Sequence, residues 1–172
     1  MNINLRPEQP SDYEWITRVN DLSFQRKAEG KLVEELRKLK DFDPGLSIVA
    51  ESGDEIIGHI LFTQVTIENN TKVYQSLTLA PMAVLPEYQK RSIGKLLVIY
   101  GLQMAKDAGY ESVIVLGHPS YYPKLGFKKA SNWNIKSPFP APNEAFMAIE
   151  LIKGCLDHVE GKVIFPPAFD EV

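Results

Sequence analysis

The chain has one cysteine among its 172 residues, Cys155, so no internal disulfide can form and a reducing compartment suits it. No apolar run approaches the ~18–20 residues that a membrane-spanning helix needs, and the opening stretch Met1–Arg6 lacks the apolar core of a leader. The three histidines, His59, His118 and His158, lie far apart and match no metal-ligand spacing. A basic excess is also missing: the net charge of −3 argues against a duplex-binding protein. There is no internal repeat and no composition break that marks a second domain. These absences set the expectation of a cytoplasmic, metal-free protein with neither a nucleic-acid nor a membrane partner, monomeric or homodimeric.

What remains is globular in make-up. A hydrophobic content of 44% in a chain of this length supports one sizeable core without cross-links, so residues 1–172 read as a single domain. Ile3–Arg6 alternates as a short strand. Ser11-Asp12-Tyr13-Glu14 has the spacing of a capping box ahead of a helix carrying Trp15, Ile16 and Val19. A second helix is predicted over Lys31–Lys40, where Leu32, Val33, Leu36 and Leu39 share a face. Strands follow at Leu46–Glu51, Ile56–Ile67 and Tyr74–Leu85, the first two joined by a Ser52-Gly53-Asp54 turn and the third interrupted at Pro81.

A helix from Ile93 to Ala108 presents Ile93, Leu96, Leu97, Tyr100, Met104 and Ala108 on one face, widened by Val98, Ile99 and Leu102 so that more than one side is expected to be covered, and stops at Gly109. Ser112–Leu116 then completes a strand–helix–strand unit, which implies parallel neighbours and a right-handed crossover. Phe146–Leu151 is a further strand, reached through the proline-rich Ser137–Pro142. The core is expected over 3–151, with 152–172 as a C-terminal extension that packs back on it. The class is α+β, a mixed sheet with helices on it.

The stretch Gln89-Lys90-Arg91-Ser92-Ile93-Gly94-Lys95 carries the chemistry. It sets two glycine-like positions, exposed backbone amides and three cations where a strand turns into a helix. The first N–H groups of a helix lack intrahelical partners and its dipole favours negative charge, so such a place suits phosphate. A Walker loop and a dinucleotide fingerprint are both absent. A diphosphate-bearing cofactor is therefore expected, of a class these two motifs do not serve.

The pattern resembles the Q/R-x-x-G-x-G/A signature of the GCN5-related N-acetyltransferase (GNAT) superfamily. Leu79–Pro86 resembles that family's fourth strand and its exit. Val113–Phe127, which includes Gly117-His118-Pro119-Ser120-Tyr121-Tyr122-Pro123-Lys124-Leu125-Gly126-Phe127, is similar to the module that follows in the YhbS-like branch, as is the closing Phe165–Val172. The resemblance implies a GNAT-type three-layer α+β fold, a mixed, mostly antiparallel sheet splayed between strands 4 and 5 with helices on both faces. It implies an acetyl-CoA-dependent N-acetyltransferase acting directly on a primary amine of an acceptor, a small molecule or a protein. A non-catalytic acyl-CoA-binding or sensing module is the alternative.

On that resemblance, acetyl-CoA is held by the backbone of Met82, Ala83 and Val84 and by Gln89, Lys90, Arg91, Ser92, Ile93, Gly94 and Lys95. Tyr122 matches the family's general acid, with Tyr121 its rival by a one-residue slip. A phenol of pKa ~10 is protonated at neutral pH and can supply a proton to a leaving thiolate. His118 is the candidate base, with Glu51 and Glu87 behind it, and a histidine that caps the following helix is the structural alternative. Trp133, Phe139, Phe146, Phe165 and Phe169 are candidates for the acceptor wall. Ser92 departs from the family's glycine. A serine with ordinary negative φ is harmless there, whereas a position that demands positive φ would make the loop degenerate.

Overall fold

The computed structural model describes residues 1–172. In chain order the strands are β1 (Asn4–Pro7), β2 (Ser47–Ser52), β3 (Glu55–Glu68), β4 (Val73–Val84), β5 (Ser112–Leu116), β6 (Lys128–Lys129), β7 (Ile135–Lys136), β8 (Phe146–Glu150) and β9 (Gly161–Ile164). The helices are α1 (Tyr13–Phe24), α2 (Ala28–Leu36) and α3 (Ile93–Asp107). The sheet has the order β1-β2-β3-β4-β5-β8-β6, with β9 pairing both β3 and β7. The pairs β1–β2, β2–β3, β3–β9, β5–β8 and β6–β8 are antiparallel, whereas β4–β5 and β7–β9 are parallel. Leu77 lies opposite Val113 and Thr78 opposite Ile114 in the parallel β4–β5 pair, as the strand–helix–strand unit requires. No helix is long and apolar enough to cross a membrane.

Two compact units interleave along the sequence. The first comprises Met1–Thr63, Ala80–Met104 and Pro167–Val172, the second Gln64–Leu79 and Ala105–Pro166. In the first, Ile16, Val19, Leu32, Val33 and Leu36 of α1 and α2 are buried, as are Ile48, Val49 and Ala50 of β2. α1 is entered through Asp12, not Ser11. The Asp12 carboxylate accepts the Gln9 N–H at 2.8 Å and holds Arg6 in a two-pronged pair at 2.8 and 3.0 Å. α2 begins and ends earlier than apolar spacing alone indicates, because Leu39 falls beyond its last turn.

α3 shows the most instructive difference. Its buried line is Ile93, Leu97, Val98, Gly101 and Ala105, while Leu96 and Ile99 are exposed. The expected stripe counted side chains, but the closest approach is made where there is none. A Cβ on Gly101 would come within 2.6 Å of Phe62 Cζ, so the bare backbone seats against that ring. β4 also runs unbroken through Pro81.

In the second unit one apolar cluster is formed by Val65, Ile67, Ile114, Ala130, Ile135, Phe146, Ala148, Leu156 and Val163, with Tyr74, Trp133, Cys155, Val159 and Phe165 against it. Gly161–Ile164 is a strand of the sheet, pairing Thr66 with Ile164 and Glu68 with Lys162, so part of the 152–172 segment belongs to the sheet. Phe169, in the first unit, is buried.

Candidate active site

β4 ends at Val84, and Leu85 N–H donates to Ile57 O at 2.9 Å. A short 3-10 turn, Pro86–Tyr88, leads into the exposed residues Gln89–Ser92 and then into α3. Gln89 ties this loop back to the strand: its Nε2 donates to Val84 O at 3.0 Å. The Gln89 side chain therefore shapes the loop from within. Arg91 lies over the Tyr88 ring at 5.5 Å, and the Tyr88 hydroxyl donates to Glu55 Oε1 at 3.0 Å. Neither Tyr88 nor Glu55 stands out in the sequence, because a stacking partner has no spacing signature.

The backbone of the loop is left-handed at two places, Lys90 (φ 63°) and Ser92 (φ 64°). Ser92 thus occupies the conformation that favours glycine, which corrects the expectation of ordinary negative φ there. Its glycine-like role is a property of the backbone. Alternation of hand along a short segment turns successive N–H groups to one side and forms a concave anion cradle. Ser92 O accepts the Leu96 N–H at 3.0 Å as α3 begins, so the amides of Ile93, Gly94 and Lys95 precede any intrahelical acceptor. Exposed amides, a helix N-terminus and three cations make a donor set that fits a diphosphate.

In the second unit, β5 stops at Leu116 and Gly117 follows, its N–H donating to Ala145 O at 2.9 Å. His118 is exposed, and its carbonyl accepts the N–H groups of Tyr121 (3.0 Å) and Tyr122 (3.4 Å). It is thus the backbone of His118 that closes the turn into the 3-10 segment Tyr122–Leu125. Tyr122 is only 7% exposed. Its ring meets Tyr121 edge-on at 5.0 Å and Phe127 at 5.4 Å. Burial, aided by Tyr121, holds its hydroxyl above the ordinary phenol range, so it is protonated at any physiological pH. Gly117, which the sequence reading did not single out, lies directly behind this ring.

Other expected residues fall elsewhere. Glu51 is engaged by Arg6 at 3.1 Å and by Asn4 Nδ2 at 2.8 Å, and these hydrogen bonds lower its carboxyl pKa, a poor setting for a base. Glu87 is exposed on the 3-10 turn before the loop. Phe146 is a core residue, with Trp133 and Phe165 packed against the same cluster. Phe139 meets Phe165 at 5.0 Å, and Phe169 is buried in the first unit. These aromatics stabilise the fold.

The chain matches the acetyltransferase (GNAT) family over residues 10–127. It is 36% identical to an uncharacterized N-acetyltransferase, YjhQ, of Escherichia coli K12 over 135 residues, 78% of this chain and 75% of that one. It is 30% identical to the uncharacterized N-acetyltransferase YhbS of the same organism over 166 residues, 96% and 98% of the two chains. The crystal structure of Escherichia coli YhbS in complex with CoA superposes with a TM-score of 0.90 at 29% identity, covering 99% of this chain and 93% of that one. A GNAT family acetyltransferase of Brucella melitensis, solved with acetyl-CoA, gives 0.78 at 30% identity, covering 98% and 99%. With more than half its length matched, and with the mixed sheet and parallel β4–β5 pair already in hand, the chain belongs to the acetyltransferase (GNAT) family and, with it, to the acetyl-CoA-dependent N-acetyltransferases.

Proposed function

We propose that the protein transfers the acetyl group of acetyl-CoA directly to a primary amine. The observation that carries this reading is the left-handed, cation-flanked turn Lys90–Ser92 at the N-terminus of α3. Its amides and Lys90, Arg91 and Lys95 suit the pyrophosphate of CoA, and the relatives solved with CoA and with acetyl-CoA support that ligand here. Gln89 contributes by fixing the loop to Val84.

The backbone of Met82, Ala83 and Val84 is assigned to the pantetheine arm, with an amide of this strand donating to the thioester carbonyl as charge develops on it. Attack by a neutral amine forms the amide bond and breaks the thioester C–S bond. Tyr122 then gives its proton to the departing thiolate, a role supported by its burial and its protonated state. The amine's surplus proton leaves through His118, which is exposed two residues after β5, or through water, and a proton from solvent restores the Tyr122 hydroxyl, so the cycle closes with no net proton change.

One observation favours the second reading, a module that binds acyl-CoA without turnover: Ser92 stands in a backbone conformation that resists a side chain. Calorimetric titration with acetyl-CoA, followed by thiol release across a panel of primary amines, decides between them. Saturable binding with amine-dependent thiol release is expected. Binding without release on any amine favours the second reading, and no binding at millimolar ligand removes both.

A further inference from the structure

A cavity of about 410 Å³ opens in the second unit, where β4 begins and where the chain passes from α3 to β5. It shares no residue with Met82–Val84, Gln89–Lys95 or Tyr122. Val73, Leu156 and Val159 give it apolar walls, and Tyr74 and Tyr110 add two aromatic rings. Both tyrosines are anchored by their hydroxyls: Tyr74 donates to His158 O at 3.1 Å, and Tyr110 accepts from Gln64 Nε2 at 2.6 Å. Glu111 is the one acidic residue of the lining, which holds no lysine, arginine or histidine. Its size lies within the range that small organic ligands fill.

We propose that this cavity is a second small-molecule site, selective for a compact organic cation with an aromatic or apolar body. Fixed aromatic rings together with one carboxylate form the environment that recognises ammonium groups, by cation–π attraction and by charge. Cys155 lies in the same lining. Its thiol is pushed up to about 11, first by burial and then by Glu150, with Glu111 and Asp157 acting in the same sense. An anion is disfavoured there, because the lining holds Glu111 and no lysine or arginine.

The test uses the whole chain and three probes of similar body: phenyltrimethylammonium, benzyl alcohol and phenylacetate. The quaternary nitrogen cannot accept an acetyl group, so a response to it is independent of turnover and of the acceptor site. Two readouts serve, the amide spectrum over residues 109–112 and 155–159 and the rate at which N-ethylmaleimide alkylates Cys155, the chain's one cysteine. Expected is saturable perturbation of those amides by the cation, protection of Cys155 by about three-fold or more, and a preference over benzyl alcohol of roughly ten-fold. The exposed Glu111 tolerates replacement, and Glu111→Gln reduces that preference by several-fold, leaving the part that the rings supply. Absence of saturable binding overturns the proposal, as does equal binding of the three probes or an unchanged preference in Glu111→Gln.

Discussion

Gly117 and Tyr122 touch so closely that a Cβ placed on the glycine would lie 2.8 Å from Tyr122 Cδ2. The tyrosine ring is pressed from its other sides by Tyr121 and Phe127, so it has nowhere to retreat without moving the turn. Gly117 is therefore a positioning residue for the proposed acid. Gly117→Ala should displace the hydroxyl and lower kcat by about ten-fold or more, with a stability cost of roughly 1–3 kcal/mol from overpacking. Tyr122→Phe removes the proton itself and should cost ~10²–10⁴ in kcat. The check is kcat against KM for acetyl-CoA in both variants. An unchanged kcat in Tyr122→Phe sinks the acid assignment, and with it the role of Gly117.

Ser92 holds φ at 64°, where a side chain costs about 1 kcal/mol relative to glycine. Ser92→Gly should relieve this and raise stability by up to about 1 kcal/mol, seen as a higher urea midpoint at constant m-value. Acetyl-CoA affinity should hold or improve. A loss of affinity of more than a few-fold in this variant would show instead that the serine hydroxyl is a ligand in its own right.

Arg91 is exposed and rests on Tyr88, so its charge can be reversed with little consequence for the core. A charge-assisted hydrogen bond to phosphate is worth roughly 1.5–3 kcal/mol. Arg91→Glu should weaken acetyl-CoA by about 10- to 100-fold while leaving the thermal midpoint nearly unchanged, and the loss should shrink at high salt. Equal affinity by calorimetry contradicts a phosphate role for this loop.

The parts of this molecule that were legible in sequence are those written in side-chain periodicity or in motif. Ser112–Leu116 coincides with β5, and α3 begins at Ile93 as its pattern indicates. Gln89–Lys95 was legible as a cation-rich turn ahead of a helix, and exposed residues Gln89–Ser92 do lead into α3. What escaped detection depends on atoms that are missing or on backbone angles. The face that α3 buries was found at Ile93, Leu97 and Val98 but drawn too far toward Leu96 and Ile99, because Gly101 makes its contact through the absence of a Cβ. The hand of the backbone at Lys90 and Ser92 has no signature in residue type, since neither is glycine. Strand β9 was read as tail because Gly161–Ile164 is short and finds partners 94–98 residues earlier, at Thr66–Glu68. Of the aromatics expected at an acceptor wall, Phe146 is buried in the core, while Trp133 and Phe165 are half-buried against it, a division that residue type does not encode.

His59 gives the fold a pH dependence of known sign. Its ring is fully buried, with Nε2 2.9 Å from Ser47 Oγ and Nδ1 3.3 Å from Asn20 Nδ2. Asn20 Nδ2 is a donor, so Nδ1 accepts and Nε2 carries the proton toward Ser47, which leaves the ring neutral. Burial, with the charge of Arg37, pushes its pKa down to about 3. The unfolded chain takes up a proton near pH 6.5 while the folded one does not, so falling pH favours unfolding. This contribution, on the order of a few kcal/mol, is complete above about pH 6.5 and is lost as pH falls toward 3. Asp12 and Glu51 are held below the usual carboxylate range by Arg6, so their share is lost only below about pH 4. Between pH 5 and 6 the slope should therefore belong to His59, at about 1.4 kcal/mol per pH unit. Urea unfolding of the wild type and of His59→Gln across that interval measures it. The variant should be less stable at pH 7 yet nearly flat from 5 to 6, and a slope equal to that of the wild type would mean that His59 is not the titrating group.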